Sequence, residues 1–161
     1  MILSSYFCPS MKLTLKEVFI ISRPRFWMYV LGTFLVGIIS SGNLFLYDTT
    51  TTFLLIAFGL FFWIPANVFI YGVNDIYDYQ TDIYNEKKVK YESVLKIEKH
   101  RSLWIIIILL LVPFLPLFFI VNLPTNIALL VFHFTGLFYS ATPLRAKSKP
   151  PLDVLFSSII Y

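Results

Sequence analysis

The feature that most constrains this chain is where its basic residues are missing. The 13 Lys and Arg stand at positions 12, 16, 23, 25, 87, 88, 90, 96, 99, 101, 145, 147 and 149. Between these groups lie unbroken apolar runs. A helix needs about 20 mostly apolar residues to cross a bilayer. Runs that are continuous rather than alternating argue against a β-barrel. Four helical spans are predicted, at about residues 27–47, 52–73, 102–121 and 126–141. Composition points the same way: 58% of residues are hydrophobic and 14% charged, against about 25% charged in soluble domains. The predicted fold class is an all-α polytopic membrane protein, with residues 1–161 forming a single membrane domain.

The same distribution gives a topology. Basic residues fall before the first run, between the second and third, and after the fourth; the connections at 41–51 and 122–125 carry none. The positive-inside rule then puts the N-terminus and the 74–101 segment on the cytoplasmic side of the cell membrane. Leu15–Phe26 mixes apolar and basic residues and reads as an interfacial helix leading into the first span. Pro65 predicts a kink in the second span, and the polar loop after it continues that helix at first. A fifth apolar run, 154–161, stops after eight residues, so the sequence reads as cut off inside a helix. Met11 offers a more ordinary start, with residues 1–10 as an extension. Cys8 stands alone, which excludes an intramolecular disulfide.

The chemistry concentrates in residues 74–82, Asn-Asp-Ile-Tyr-Asp-Tyr-Gln-Thr-Asp. Asn74, Asp78 and Asp82 recur every four residues, so on a helix they share one face. Carboxylates that close need a cation. Hard oxygen donors suit Mg²⁺, which is commonly bridged to substrate phosphates. Carboxylates at the end of a membrane span usually mark a substrate or ion site; the blander reading is a solvated helix end. The second constellation is Tyr139–Asp153, in which Arg145, Lys147 and Lys149 alternate within a Pro-rich loop. It reads either as a diphosphate clamp or as an ordinary positive-inside loop. Apolar helices rich in Phe and Tyr beside these groups suit a long apolar chain, and aromatic faces can stabilise a developing cation. His133 reads as a packing histidine and His100 as solvated. Lys87–Arg101 reads as a topogenic charge run, and Asp48 and Glu17 carry no functional signal. There is no P-loop, no Gly-rich dinucleotide turn and no Cys/His metal pattern, and no nucleic-acid partner is expected.

These residues resemble the UbiA-type intramembrane prenyltransferases. The Asn74–Asp78–Asp82 spacing matches the family's first N-x-x-x-D-x-x-x-D motif. Tyr139-Ser140-Ala141-Thr142-Pro143-Leu144-Arg145-Ala146-Lys147 is similar to its loop between the fourth and fifth helices. Ser22–Trp27 and Asn67–Asp75 resemble the carotenoid-modifying branch, typified by lycopene elongases. The resemblance implies a UbiA-like bundle of nine helices, here ending after about four spans and the start of a fifth. It implies Mg²⁺-dependent ionisation of a polyprenyl diphosphate and transfer of the prenyl group to a lipophilic acceptor, an aromatic ring or a carotenoid. By position, Asn74, Asp78 and Asp82 would hold the Mg²⁺–diphosphate. Arg145 and Lys147 would contact the diphosphate, with Arg23 a further contact. The family's second acidic motif does not occur in these 161 residues. The chain alone is therefore expected to be inactive, an N-terminal piece needing a C-terminal half chain. The rival readings are a small multi-pass subunit or cation-handling protein, and a non-functional remnant.

Overall fold

A computed structural model describes residues 12–42, 46–86 and 94–160. Cys8, Met11, Lys87, Lys88 and Lys90 lie outside the described residues. Those that are described form helices and connecting turns, with no strand among them. In chain order the helices are α1 (Leu15–Ile21), α2 (Trp27–Ser40), α3 (Thr49–Trp63), α4 (Pro65–Tyr77), α5 (Tyr79–Asp82), α6 (His100–Leu111), α7 (Leu117–Ile120), α8 (Leu123–Phe138) and α9 (Pro150–Ile160).

Local sequence explains most boundaries. Thr14 and Glu17 form a reciprocal capping box at the start of α1. Asp48 caps α3, its carboxylate accepting the Thr51 N–H at 3.0 Å, and Asn122 caps α8 in the same way through Thr125. The predicted first span extends to residue 47, but α2 stops at Ser40. Gly42 then takes a left-handed φ of 69°, a backbone suited to ending a helix. Pro65 separates α3 from α4, as expected, because it has no N–H to donate. The buried side chain of Asn67 makes good part of the deficit, its Nδ2 donating to the carbonyls of Phe62 (3.0 Å) and Trp63 (2.6 Å). Between α6 and α7, Pro113 sits in a 3₁₀ turn, Val112–Phe114.

Among the described residues, two helical stretches are long and apolar enough to cross a membrane: Thr49–Tyr77, with 29 residues, and Ile97–Ile120, with 24. The other predicted spans coincide with α2 (14 residues) and α8 (16 residues), and the incomplete fifth with α9 (11 residues). Each is shorter than the roughly 20 residues of a full crossing. The core is built around α4. Val68, Phe69, Ile70 and Val73 pack with Phe61, Leu103, Ile107 and Phe132. Outward-facing positions are apolar as well: Leu109 is 64% exposed, and Val36, Phe53, Ile56 and Leu130 face out with it. So broad an apolar surface suits lipid and not water.

Candidate functional site

The last turn of α4 holds the polar end of the bundle together. Three neighbouring segments meet it through the side chains of Asn74, Asp75 and Asp78. Asn74 Nδ2 donates to Ser140 Oγ, just beyond α8, at 3.1 Å. Arg23 Nη2, from the elbow between α1 and α2, donates to Asp75 Oδ1 at 2.9 Å. Arg145 Nη2 donates to Asp78 Oδ1 at 3.3 Å, and Lys147 Nζ to Asp78 Oδ2. Tyr139 OH extends the network to α9 by donating to Asp153 Oδ1 at 2.9 Å.

The helical backbone predicted for residues 74–82 is nearly continuous. The helix loosens at Asp78 (φ −98°, ψ 1°), which ends α4 and opens α5. The ladder nevertheless runs on through it: the Asp78 N–H donates to Asn74 O and the Asp82 N–H to Asp78 O, both at 2.9 Å. The three residues thus follow one another turn by turn. Asp82 is buried one turn beyond Asp78.

The basic loop also meets this face. Arg145 lies 67 residues from Asp78 in sequence and Lys147 lies 69, yet both reach the same carboxylate. Arg145 takes a left-handed backbone, φ 41°. The other non-glycine residue of positive φ among the described residues is Arg23, φ 49°. An L-residue in this region costs about 1–2 kcal/mol, and such strain gathers at functional sites. Both strained residues are arginines, and both reach carboxylates of one helical turn. The two pairs differ in access. The Arg145 side chain is 42% exposed and Asp78 13%, whereas Arg23 is 16% exposed and Asp75 6%. The buried Nε of Arg145 has no hydrogen-bond acceptor among the described residues.

Sequence reasoning overlooked Asp75, Ser140 and Asp153 as members of this cluster. Asp75 lies beside Asn74 in the motif, and Ser140 and Asp153 bracket the basic loop, so their positions were the available signal. Arg23, expected toward a diphosphate, is held by Asp75 and lies 4.7 Å from the Tyr71 ring centroid. His100, expected to be solvated, packs edge-on against Tyr79 at 5.5 Å. His133 is a packing histidine: its Nδ1 lies 2.7 Å from Leu129 O, among the rings of Phe61, Phe69, Phe118 and Phe132. Glu17 meets Lys99; that cation, with the Thr14 backbone N–H, holds its carboxyl below the usual range.

Below the polar end, a cavity of about 410 Å³ opens between α2, α3, α8 and α9, lined by residues including Val30, Phe34, Phe62, Leu129, Phe132 and Ile160. Among the described residues, no three His, Cys, Asp or Glu side chains gather to hold a metal. The oxygen donors on the acidic face are two carboxylates and one amide.

The chain is 37% identical over 145 residues to a lycopene elongase/hydratase of Haloarcula japonica, covering 86% of this chain and 46% of that protein. It is 33% identical over 151 residues to the lycopene elongase/hydratase of Halobacterium salinarum, covering 89% and 51%. The chain is a homologue of the lycopene elongase/hydratases. A C(50) β-cyclic carotenoid biosynthesis protein of Dietzia sp. is 31% identical over 147 residues, covering 89% of this chain and 32% of its own. The chain spans about half the length of its two haloarchaeal homologues. No family model and no solved structure matches it.

Proposed function

We propose that these residues form the N-terminal half-site of an intramembrane prenyltransferase. It would move a prenyl group from a polyprenyl diphosphate to a lipophilic acceptor, and the homologues' names favour a carotenoid. The observation that carries this reading is the contact of Asp78 with both Arg145 and Lys147. A carboxylate of the kind that holds a metal and two cations of the kind that hold phosphate share one site. Without ligand they neutralise each other. A metal-bound diphosphate would satisfy both sets together: the carboxylates would hold the metal, and the guanidinium and ammonium would pair with phosphate oxygens. The orphaned Nε–H of Arg145 supplies one more donor for such an oxygen.

The donor set fits Mg²⁺. Asn74, Asp78 and Asp82 offer hard oxygens that are too few for an all-protein cage, and Mg²⁺ commonly completes its shell with substrate phosphates and water. Bound there, Mg²⁺ would add positive charge beside the departing diphosphate. Arg145 and Lys147 would stabilise the charge that develops on that leaving group. The apolar cavity would take an isoprenoid chain, and its Phe rings would face a developing allylic cation. We place the bundle in the cell membrane as a multi-pass protein with its polar end and N-terminus cytoplasmic, because the basic segments collect at that end. A second acidic motif would come from a C-terminal half, and residues 1–161 alone should hold the metal–diphosphate weakly.

The test is calorimetric titration of the full chain in nanodiscs with a prenyl diphosphate, with and without Mg²⁺. Wild type should bind only when both are present. Asp78→Asn should weaken that binding at least about tenfold, as loss of a metal ligand or its support does, with helicity unchanged. Mg²⁺ binding that is indifferent to diphosphate would sink the reading in favour of a cation-handling membrane subunit.

A further inference from the structure

The two strained arginines divide the labour of the polar end, and the reading of that end as a diphosphate site leaves one of them without a task. Arg145 is open to solvent and paired with a carboxylate that a metal could take over. Arg23 is enclosed. Its guanidinium lies between Asp75 and the Tyr71 ring, at 2.9 Å and 4.7 Å. The backbone that carries it is fixed from behind. Ser22 is fully buried, and the Trp27 indole N–H donates to its carbonyl (3.1 Å) and hydroxyl (3.2 Å). The Phe26 ring packs 5.8 Å from Tyr71. If Arg23 turned to a diphosphate, it would give up its ion pair with a carboxylate that is 6% exposed.

We propose that Arg23 and Asp75 are a positioning pair and not ligand contacts. Asp75 lies between Asn74 and Asp78 on the last turn of α4. Clamping it to the α1–α2 elbow fixes the rotation of that turn, and with it the direction in which Asn74 and Asp78 present their oxygens. This inference rests on the diphosphate reading of the site. It assigns Asp75, the carboxylate of the motif that the metal set does not use, to orienting its neighbours.

A double-mutant cycle on the full chain in nanodiscs tests it, with inorganic diphosphate at saturating Mg²⁺ as the probe and thermal unfolding measured in parallel. Arg23→Gln and Asp75→Asn should each weaken diphosphate binding about tenfold. The double variant should be no weaker than either single one, because the two residues act as one unit. Arg23→Lys keeps the charge opposite Asp75 but loses the planar fork, and it serves if a single variant cannot be recovered folded. It should bind several-fold more weakly than wild type while unfolding at nearly the same temperature. Wild-type affinity in Asp75→Asn with loss only in Arg23→Gln would make Arg23 a direct contact and overturn the proposal. Lower unfolding temperatures with unchanged affinity would reduce the pair to a structural tie and also overturn it. No Mg²⁺-dependent diphosphate binding by wild type would remove the site reading itself, and the positioning role with it.

Discussion

Helices α4 and α6 pack against each other, yet one is enclosed by protein and the other is largely exposed. From Pro65 to Val73 every residue of α4 is buried. On α6 only Ser102, Leu103 and Ile107 are buried, while Ile105, Ile108 and Leu109 face outward. The stretch containing α6 is nevertheless the more apolar of the two candidate spans and the less buried. In water the most apolar helix would go to the centre. In lipid, apolarity no longer selects the interior, because the tails are as apolar as Leu; close packing and polar side chains select it. The central helix accordingly carries Asn67, Gly72, Asn74 and Asp75, and small residues let its neighbours approach. A Cβ at Gly72 would lie 3.1 Å from Ile107 Cδ1, and one at Gly136 of α8 would lie 2.8 Å from Phe69 Cε1.

This contrast can be broken by experiment. The largest effect is expected within α6 itself. Leu103→Ala, which empties a fully buried site against α4, should cost about 2–5 kcal/mol, measured by unfolding in mixed micelles. Leu109→Ala on the same helix should cost well under about 1 kcal/mol, since lipid replaces the lost contacts; equal losses at both positions would mean that α6 is not lipid-facing. Leu109→Lys separates the two solvents more sharply. Near a helix centre in lipid it should raise the apparent insertion cost by about 2.5–3.5 kcal/mol in a translocon assay, and on a water-facing surface by almost nothing. Gly136→Ala presses a methyl group into Phe69 and should destabilise the α4–α8 contact by about 1–3 kcal/mol; a neutral result would show that the Phe69 ring yields. The smallest effect belongs to the aqueous rim. The Glu17 carboxyl is held below its ordinary pKa by Lys99 and the Thr14 N–H. Its contribution is fully present above the ordinary Glu value of about 4.3 and is lost as pH falls through the lowered value. The Tm difference between wild type and Glu17→Gln, small at neutral pH, should close in strong acid.

Much of the site was legible in the sequence because its signals are local. A four-residue repeat of Asn74, Asp78 and Asp82 places them on one face whatever the rest of the chain does, and Pro65 must interrupt its helix wherever that helix packs. Gly42, by contrast, ended the first helix about seven residues before the predicted limit of its span, because apolarity continues past the point where the backbone can stop. The sharing of Asp78 by Arg145 and Lys147 was not legible, since nothing within either segment encodes a contact across nearly 70 residues. The pairing of Arg23 with Asp75 was hidden for the same reason.

The sequence by itself determined that this chain carries helices apolar enough for a membrane, that its basic residues collect on alternate connections, and that a hard-oxygen face follows the second apolar run. Each of these is a property of a single segment: its transfer free energy, its charge or its helical period. Only the tertiary structure decided which helix is central, which arginine meets which carboxylate, and which pair is open and which enclosed. Those outcomes depend on the fit of one surface against another and on two left-handed elbows, at Arg23 and Arg145, that aim each side chain at the same turn of α4.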